Sequence, residues 1–177
     1  MAIESVIPSR WIPWAAAATE ADWDALYAEM LPRVYNFFRY RVRDRAEAED
    51  LTSVTFEKAW RARGRFRRDL AGFSTWLLAI ARNVAIDHFR RSRDLAPLEA
   101  AEHVAAGATP EELAVERSDF ERLSMLLERL PTRERELIAL KYGAGLTNRA
   151  IARATGLGES NVGTILHRTI QDLRDRW

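Results

Sequence analysis

The chain has 177 residues, 47% of them hydrophobic and 30% charged, with a formal net charge of +1. That balance suits a folded, soluble protein of one or two small domains and excludes a disordered or fibrous one. There is no cysteine, and the three histidines (His88, His103 and His167) are far apart, so neither a disulfide, a metal site nor a cofactor is expected.

The small net charge hides an uneven distribution. Residues 60–93 hold nine basic and two acidic groups, residues 94–118 one and six, and residues 131–177 eight and five. Two basic blocks flanking an acidic one suggest two nucleic-acid contacts joined by a segment that avoids phosphate.

Residues 1–19 contain two prolines and two tryptophans and read as an unstructured extension, with Trp11 and Trp14 available to dock it. Their apolar run is too short for a signal peptide, and no window approaches a membrane span, so no membrane insertion is expected. Thr19 and Asp22 form a capping pair that opens the folded part. Trp23, Leu26, Tyr27 and Met30 then share one helical face. Pro32 predicts a second helix that starts on it, because the missing N–H is harmless at a first helical position. Val34, Phe37, Phe38 and Val42 would be its buried side.

Asp44 with Glu47 caps a third helix reaching about Arg63, with Ala48, Leu51, Thr55, Phe56, Ala59 and Trp60 inside. Gly64 to Gly72 is a basic loop. A long helix follows from about Phe73 to Arg93, its inner face being Phe73, Trp76, Leu77, Ile80, Ala81, Val84 and Phe89. Leu95 to Ala108 lacks periodicity and reads as an acidic linker. Thr109, Pro110 and Glu112 give the cap, first-turn proline and capping partner of the next helix. Its inner residues are Leu113, Phe120, Leu123, Leu127 and Leu130, and Pro131 stops it. Thr132 caps a short helix ending near Gly143, with Leu137, Ile138 and Leu140 inside.

The last stretch, Leu146 to Trp177, has the pattern of a helix-turn-helix. Ala152 is small enough for a close helix crossing, Gly156 suits a left-handed turn, and Val162, Ile165 and Leu166 close the small core. Such a second helix enters a DNA major groove. No strand signal appears. The fold class is therefore all-α: a 1–19 extension, a helical domain over 20–94, a flexible acidic linker over 95–109, and a second helical domain over 110–177.

No catalytic set emerges. Serine, histidine and aspartate are present, but no nucleophile elbow, phosphate loop or paired-carboxylate signature surrounds them. Asp50, beside Glu47 and Glu49, reads as part of an exposed acidic ridge, so the protein is not expected to be an enzyme or to take a small-molecule substrate. The arginines of the loop and long helix alternate with aromatic residues, a mixture that suits partly opened DNA. Helical spacing sends Trp60, Phe73 and Trp76 inward, leaving Phe66 and one tryptophan edge free.

These motifs resemble a known family. Ala46–Trp60 (AEAEDLTSVTFEKAW) is similar to the AEDLVQETFLRAW stretch of bacterial RNA polymerase sigma factors, and Phe73–Arg91 to the adjoining F-x-x-WL-x-x-IA-x-N-x-x-x-D-x-x-R segment. The run from Leu127 to Arg168 resembles their C-terminal region, and the layout resembles the extracytoplasmic-function (ECF) subgroup.

The resemblance implies binding to core RNA polymerase through the β′ clamp helices and β flap, and to promoter DNA at its −10 and −35 elements. It also implies an anti-sigma factor partner, and the absence of cysteine suits the reducing cytoplasm. Carried over, Asp50, Leu51, Thr52, Ser53, Phe56 and Glu57 fall in the polymerase-binding helix. Arg65, Phe66, Arg67, Arg68, Ser74, Trp76, Asn83, Arg90 and Arg91 match −10 positions, among which Asn83 and the loop capture a flipped base. Glu159, Ser160, Asn161, Thr164, His167 and Arg168 match −35 positions on the recognition helix.

Three departures stand out. Ser53-Val54 replaces Gln-Glu, Asn161-Val162-Gly163-Thr164 replaces T-V-K-S, and Gly158 replaces a serine cap. An altered or weaker −35 preference follows. The alternative is a helix-turn-helix regulator of the response-regulator type binding duplex DNA as a dimer, because LTNRAIA also resembles their LTNREIA.

Overall fold

The computed structural model describes residues 20–66, 72–95 and 111–177. The 1–19 extension with Trp11 and Trp14, nearly all of the linker, the Thr109–Pro110 cap, and Arg67 and Arg68 lie outside them. Seven α-helices follow in order: α1 (Glu20–Arg39), α2 (Arg45–Ala62), α3 (Phe73–Leu95), α4 (Glu111–Glu128), α5 (Thr132–Ile138), α6 (Asn148–Thr155) and α7 (Glu159–Asp175). A 3-10 turn, Arg63–Arg65, extends α2, and a π-turn, Ala139–Gly143, extends α5. Among the described residues there is no strand.

Pro32 does not begin a helix; it lies inside α1. A proline there removes one ladder bond, to the carbonyl of Ala28. Ala28, Leu31 and Pro32 are all exposed, so water can serve the released carbonyl and the helix continues. Asp44 caps α2 as its sequence predicts, its Oδ1 accepting the Glu47 N–H at 2.8 Å. Thr132, by contrast, is already inside α5. Pro131 occupies the cap position without a side-chain bond, and the preceding helix ends at Glu128 rather than Leu130.

Helices α1 to α3 pack around Val34, Phe37, Phe38, Leu77 and Leu78, all fully buried. Ala48 and Ala59 on α2 and Ala81 and Ala85 on α3 show no exposed surface; lacking bulk, they let these two helices approach closely. Leu127, Leu137, Ile138, Leu140, Ile151 and Val162 fill the C-terminal part.

The two parts touch. Gly143 packs on α1 so tightly that a Cβ there would stand 2.8 Å from the Asn36 carbonyl oxygen. Arg33 donates to the Ala144 carbonyl at 2.8 Å. Arg82 on α3 bonds Glu136 on α5 at 2.5 Å and the Ala154 carbonyl on α6 at 3.0 Å.

Candidate nucleic-acid interface

On α2, helical spacing divides the six polymerase-binding candidates. Asp50, Ser53 and Glu57 are exposed, whereas Leu51, Thr52 and Phe56 are buried. Thr52 spends its hydroxyl on the Ala48 carbonyl at 2.7 Å, and Phe56 packs on Tyr27. These three hold the ridge in place; its surface is made by the other three. Asp50 has no ion-pair partner among the described residues, whereas neighbouring Glu49 is engaged by Arg45 at 3.0 Å.

Beyond α2 an aromatic cluster sets the base of the basic loop. Trp23 meets Trp60 and Phe73 edge-on, with ring centroids 5.2 and 5.6 Å away. Phe66 packs on Phe73 at 5.5 Å and on Trp76 at 5.1 Å. Such pairs each add about 0.5–1.5 kcal/mol beyond the area they bury. The cluster anchors both ends of the loop, and Phe66 is half-buried instead of standing free as its alternation with arginines suggests. Trp60 keeps the larger exposed edge, 37%, and the Arg63 guanidinium lies 3.8 Å over its ring.

On α3, Trp76, Asn83 and Arg90 recur every seven residues and so share one stripe. Asn83 and Arg90 are exposed and Trp76 half-buried. The stripe presents in turn an apolar ring, an amide and a cation, and Arg65 stands exposed at the loop entrance. Ser74 is half-buried and Arg91 exposed. Arg90 is lightly paired to Asp87 at 3.6 Å, an exposed contact that DNA phosphate can replace.

The helix-turn-helix forms as its spacing predicts. Thr147 caps α6, accepting the Ala150 N–H at 3.2 Å. Gly156 closes it at φ 74°, a left-handed conformation that favours glycine. Val162 and Leu166 are buried and Ile165 packs beside them. All six −35 candidates, Glu159, Ser160, Asn161, Thr164, His167 and Arg168, are exposed on α7. Gly158 caps α7 with no side-chain bond. Glu159 meets Arg149 of α6 at 3.4 Å, and Thr164 donates to the Ser160 carbonyl at 3.0 Å.

Sequence reasoning missed the residues joining the two parts. Arg41 is 4% exposed, lies 4.0 Å from Glu136, and stacks near Phe37 and Phe89. Burial pushes its guanidinium down to about 10; Glu136 opposes this, while Arg135 and Arg82 push the same way. Glu136 therefore serves two cations, Arg41 from the turn after α1 and Arg82 from α3. Nothing distinguishes these arginines in sequence from solvated ones, because their partners Glu136, Ala154 and Phe89 lie far away in the chain. Among the described residues no group of acidic or imidazole side chains could hold a metal, and no helix is long and apolar enough to cross a membrane.

Fold and faces together define an all-helical protein of two parts, the second ending in a helix-turn-helix. The chain matches Sigma-70 region 2 over residues 26–94 and Sigma-70 region 4 over residues 120–173. It is 35% identical to the ECF RNA polymerase sigma factor BldN of Streptomyces coelicolor, over 89% of this chain and 61% of that one. It is 31% identical to the RNA polymerase sigma factor CarQ of Myxococcus xanthus, over 86% and 87% of the two. The chain thus belongs to the sigma-70 family of RNA polymerase sigma factors, in its ECF group. The sigma factor RpoE of Bartonella quintana, solved with the anti-sigma factor NepR, shares the fold with a TM-score of 0.67 at 22% identity, over 87% of this chain and 95% of that one.

Proposed function

We propose that this chain acts by binding, without catalysis of its own: in the cytoplasm it joins core RNA polymerase, directs it to promoters and helps to open them. Residues 20–94 form the part that binds polymerase and the −10 element, 95–109 a tether, and 110–177 the part that reads the −35 element. Residues 1–19 are an extension outside both.

One observation carries this reading most directly: the α3 stripe of Trp76, Asn83 and Arg90 beside the basic loop, on a different part of the molecule from the exposed face of α7. A single duplex reader needs only the second face. The first has the ring, amide and cation suited to an unstacked base and its phosphate. Unstacking costs a few kcal/mol, which contacts to the extruded base offset. Asp50, Ser53 and Glu57 supply an exposed polar ridge on which the Asp50 carboxylate meets the basic surface of the clamp helices, Glu57 being paired to Arg61 at 2.5 Å, and an anti-sigma factor would act by covering that ridge or the α7 face. The regulator reading lacks its upstream partner: α1 to α3 contain no strand from which to build a receiver, and 26–94 match region 2.

The same reading requires opening. Elements 25 base pairs apart are separated by about 85 Å along B-DNA at 3.4 Å per base pair. While Arg82 bonds Ala154, the two faces are held too close to span that distance, so Glu136 and its arginines must part when polymerase and promoter are bound.

Permanganate reactivity tests this. With core polymerase and a matched promoter, −10 thymines should become reactive only when the chain is added. Asn83→Ala should abolish that reactivity and keep the −35 footprint. Equal reactivity with Asn83→Ala would contradict the assignment of this stripe.

A further inference from the structure

Helices α1 and α2 leave an open groove of about 410 Å³, lined by Leu31, Pro32 and Tyr35 of α1 and by Arg45, Glu49 and Thr52 of α2. That volume falls within the range of about 300–1,000 Å³ typical of ligand pockets, room for an indole ring or two. The polar groups around it are already occupied. Thr52 donates its hydroxyl to the Ala48 carbonyl at 2.7 Å, and Arg45 and Glu49 satisfy each other at 3.0 Å. On α1, Tyr27, Leu31 and Tyr35 recur every four residues along one edge. Tyr27 and Leu31 are 40% and 37% exposed, and Pro32 beside them is exposed. Single exposed apolar residues are ordinary, whereas a contiguous row beside a groove marks a surface that something covers.

The chain itself carries a cover of the right chemistry and length. Residues 1–19 lead directly into α1 and include Val6, Ile7, Trp11, Ile12 and Trp14, with Glu4 and Arg10 as the charged side chains. Leu31 lies eleven residues along α1 from Glu20, about 17 Å at 1.5 Å per residue. Trp14 and Trp11 stand six and nine residues before Glu20, a reach of about 20 and 30 Å at 3.3 Å per residue. Both indoles can therefore arrive at the groove when the segment turns back along α1. Tryptophan brings a large apolar area and an N–H for the polar rim. Charge agrees: Ser53 also lines the groove, and Asp50, one helical turn before it, is the exposed carboxylate without an ion-pair partner among the described residues. Arg10 is the one basic side chain in residues 1–19.

We propose that the segment before α1 folds back and seats Trp11 and Trp14 in the groove between α1 and α2, with Arg10 paired to Asp50. The docking stands on the groove, the reach and the charges alone. Its consequence, that the segment covers Asp50 and Ser53 and must leave before core polymerase binds, rests on reading that ridge as the polymerase contact.

Disulfide trapping in the full chain tests it, because the chain has no cysteine of its own. Ile12→Cys is combined either with Glu49→Cys in the groove or with Lys58→Cys. Lys58 is on the opposite side of α2 and nearer the start of α1, where Trp60 meets Trp23, so random encounters favour it over Glu49. In oxidised glutathione, with each rate scaled to that thiol's own reactivity, the Glu49 pair should close about tenfold faster or more, the gain in effective concentration from docking. Trp11→Ala with Trp14→Ala, and separately the exposed Leu31→Ser, should bring the Glu49 pair down to the Lys58 rate. Equal rates for the two pairs, or a Glu49 pair that keeps its rate without both tryptophans, would overturn the docking. Core polymerase should slow the Glu49 pair. Fast trapping that polymerase leaves unchanged supports the docking and counts against the ridge as the polymerase contact.

Discussion

Gly143 and Asn36 meet backbone to backbone: a Cβ on Gly143 would stand 2.8 Å from the Asn36 carbonyl oxygen and 3.1 Å from the Cα of Phe37. The glycine is there for closeness, not for its dihedrals, since the positive-φ glycines among the described residues are Gly145 and Gly156. Backbone cannot move aside as a side chain can. Gly143→Ala should therefore cost about 1–3 kcal/mol, the range for overpacking a tight contact. A lower urea midpoint with retained helical circular dichroism is the expected outcome. An unchanged midpoint would show that the two parts do not hold each other this way in solution.

Glu136 is the carboxylate between Arg41 and Arg82, with side-chain exposures of 13%, 2% and 28% respectively. Glu136→Gln leaves Arg41 buried without its counter-charge. Breaking such a pair costs on the order of 3 kcal/mol, whereas replacing every member by apolar residues of similar size is often neutral. Glu136→Gln should thus lower stability and enlarge the radius of gyration seen by X-ray scattering. The triple variant Arg41→Met, Arg82→Met, Glu136→Met should recover most of the stability. A triple variant as weak as Glu136→Gln would refute the argument.

How much of this was legible in the sequence depends on how far each contact reaches. Local signals held: Asp44 caps α2, Gly156 closes α6, and Val162 and Leu166 point inward. Pro32 misled because its helix-starting preference competes with a continuous apolar face, Met30, Val34, Phe37 and Phe38, which kept α1 whole. On α2 the family stretch marked six residues together, whereas helical spacing alone already placed Leu51 and Phe56 inside; Thr52 proves buried with them, and Asp50, Ser53 and Glu57 are exposed. The junction made by Arg33, Arg41, Arg82, Glu136 and Gly143 was invisible, because its residues come from segments far apart in the chain and have no shared spacing.

That sorting of α2 faces makes a prediction. Leu51 is 8% exposed, so Leu51→Ala should lose about 2–5 kcal/mol of stability by leaving a cavity. Asp50→Lys, on the exposed side, should stay within about 0.5 kcal/mol of the parent and yet lose binding to core polymerase. Denaturation midpoints and polymerase co-elution separate the two. An Asp50→Lys variant that binds polymerase normally would remove the ridge from the interface.

Gly163 lies inside α7, where a Cβ would make ordinary contact, 3.5 Å from Asn148 Nδ2. A side chain fits, and replacing glycine in a helix interior gains about 0.7–1 kcal/mol. Gly163→Lys should raise the melting temperature by a few degrees and strengthen the −35 footprint. It should also steepen the dependence of affinity on salt by about one phosphate contact. A variant that is more stable but gives the same footprint and salt slope would mean that position 163 faces no phosphate.

The central claim is that the chain brings core polymerase to a promoter, and reconstituted run-off transcription measures that most directly. Purified chain and core polymerase should co-elute and start a transcript of defined length from a matched promoter. Substituting either promoter element should cut the product, and Asp50→Lys should abolish it. A chain that fails to bind core polymerase, yet binds duplex DNA specifically as a free dimer, would contradict the account.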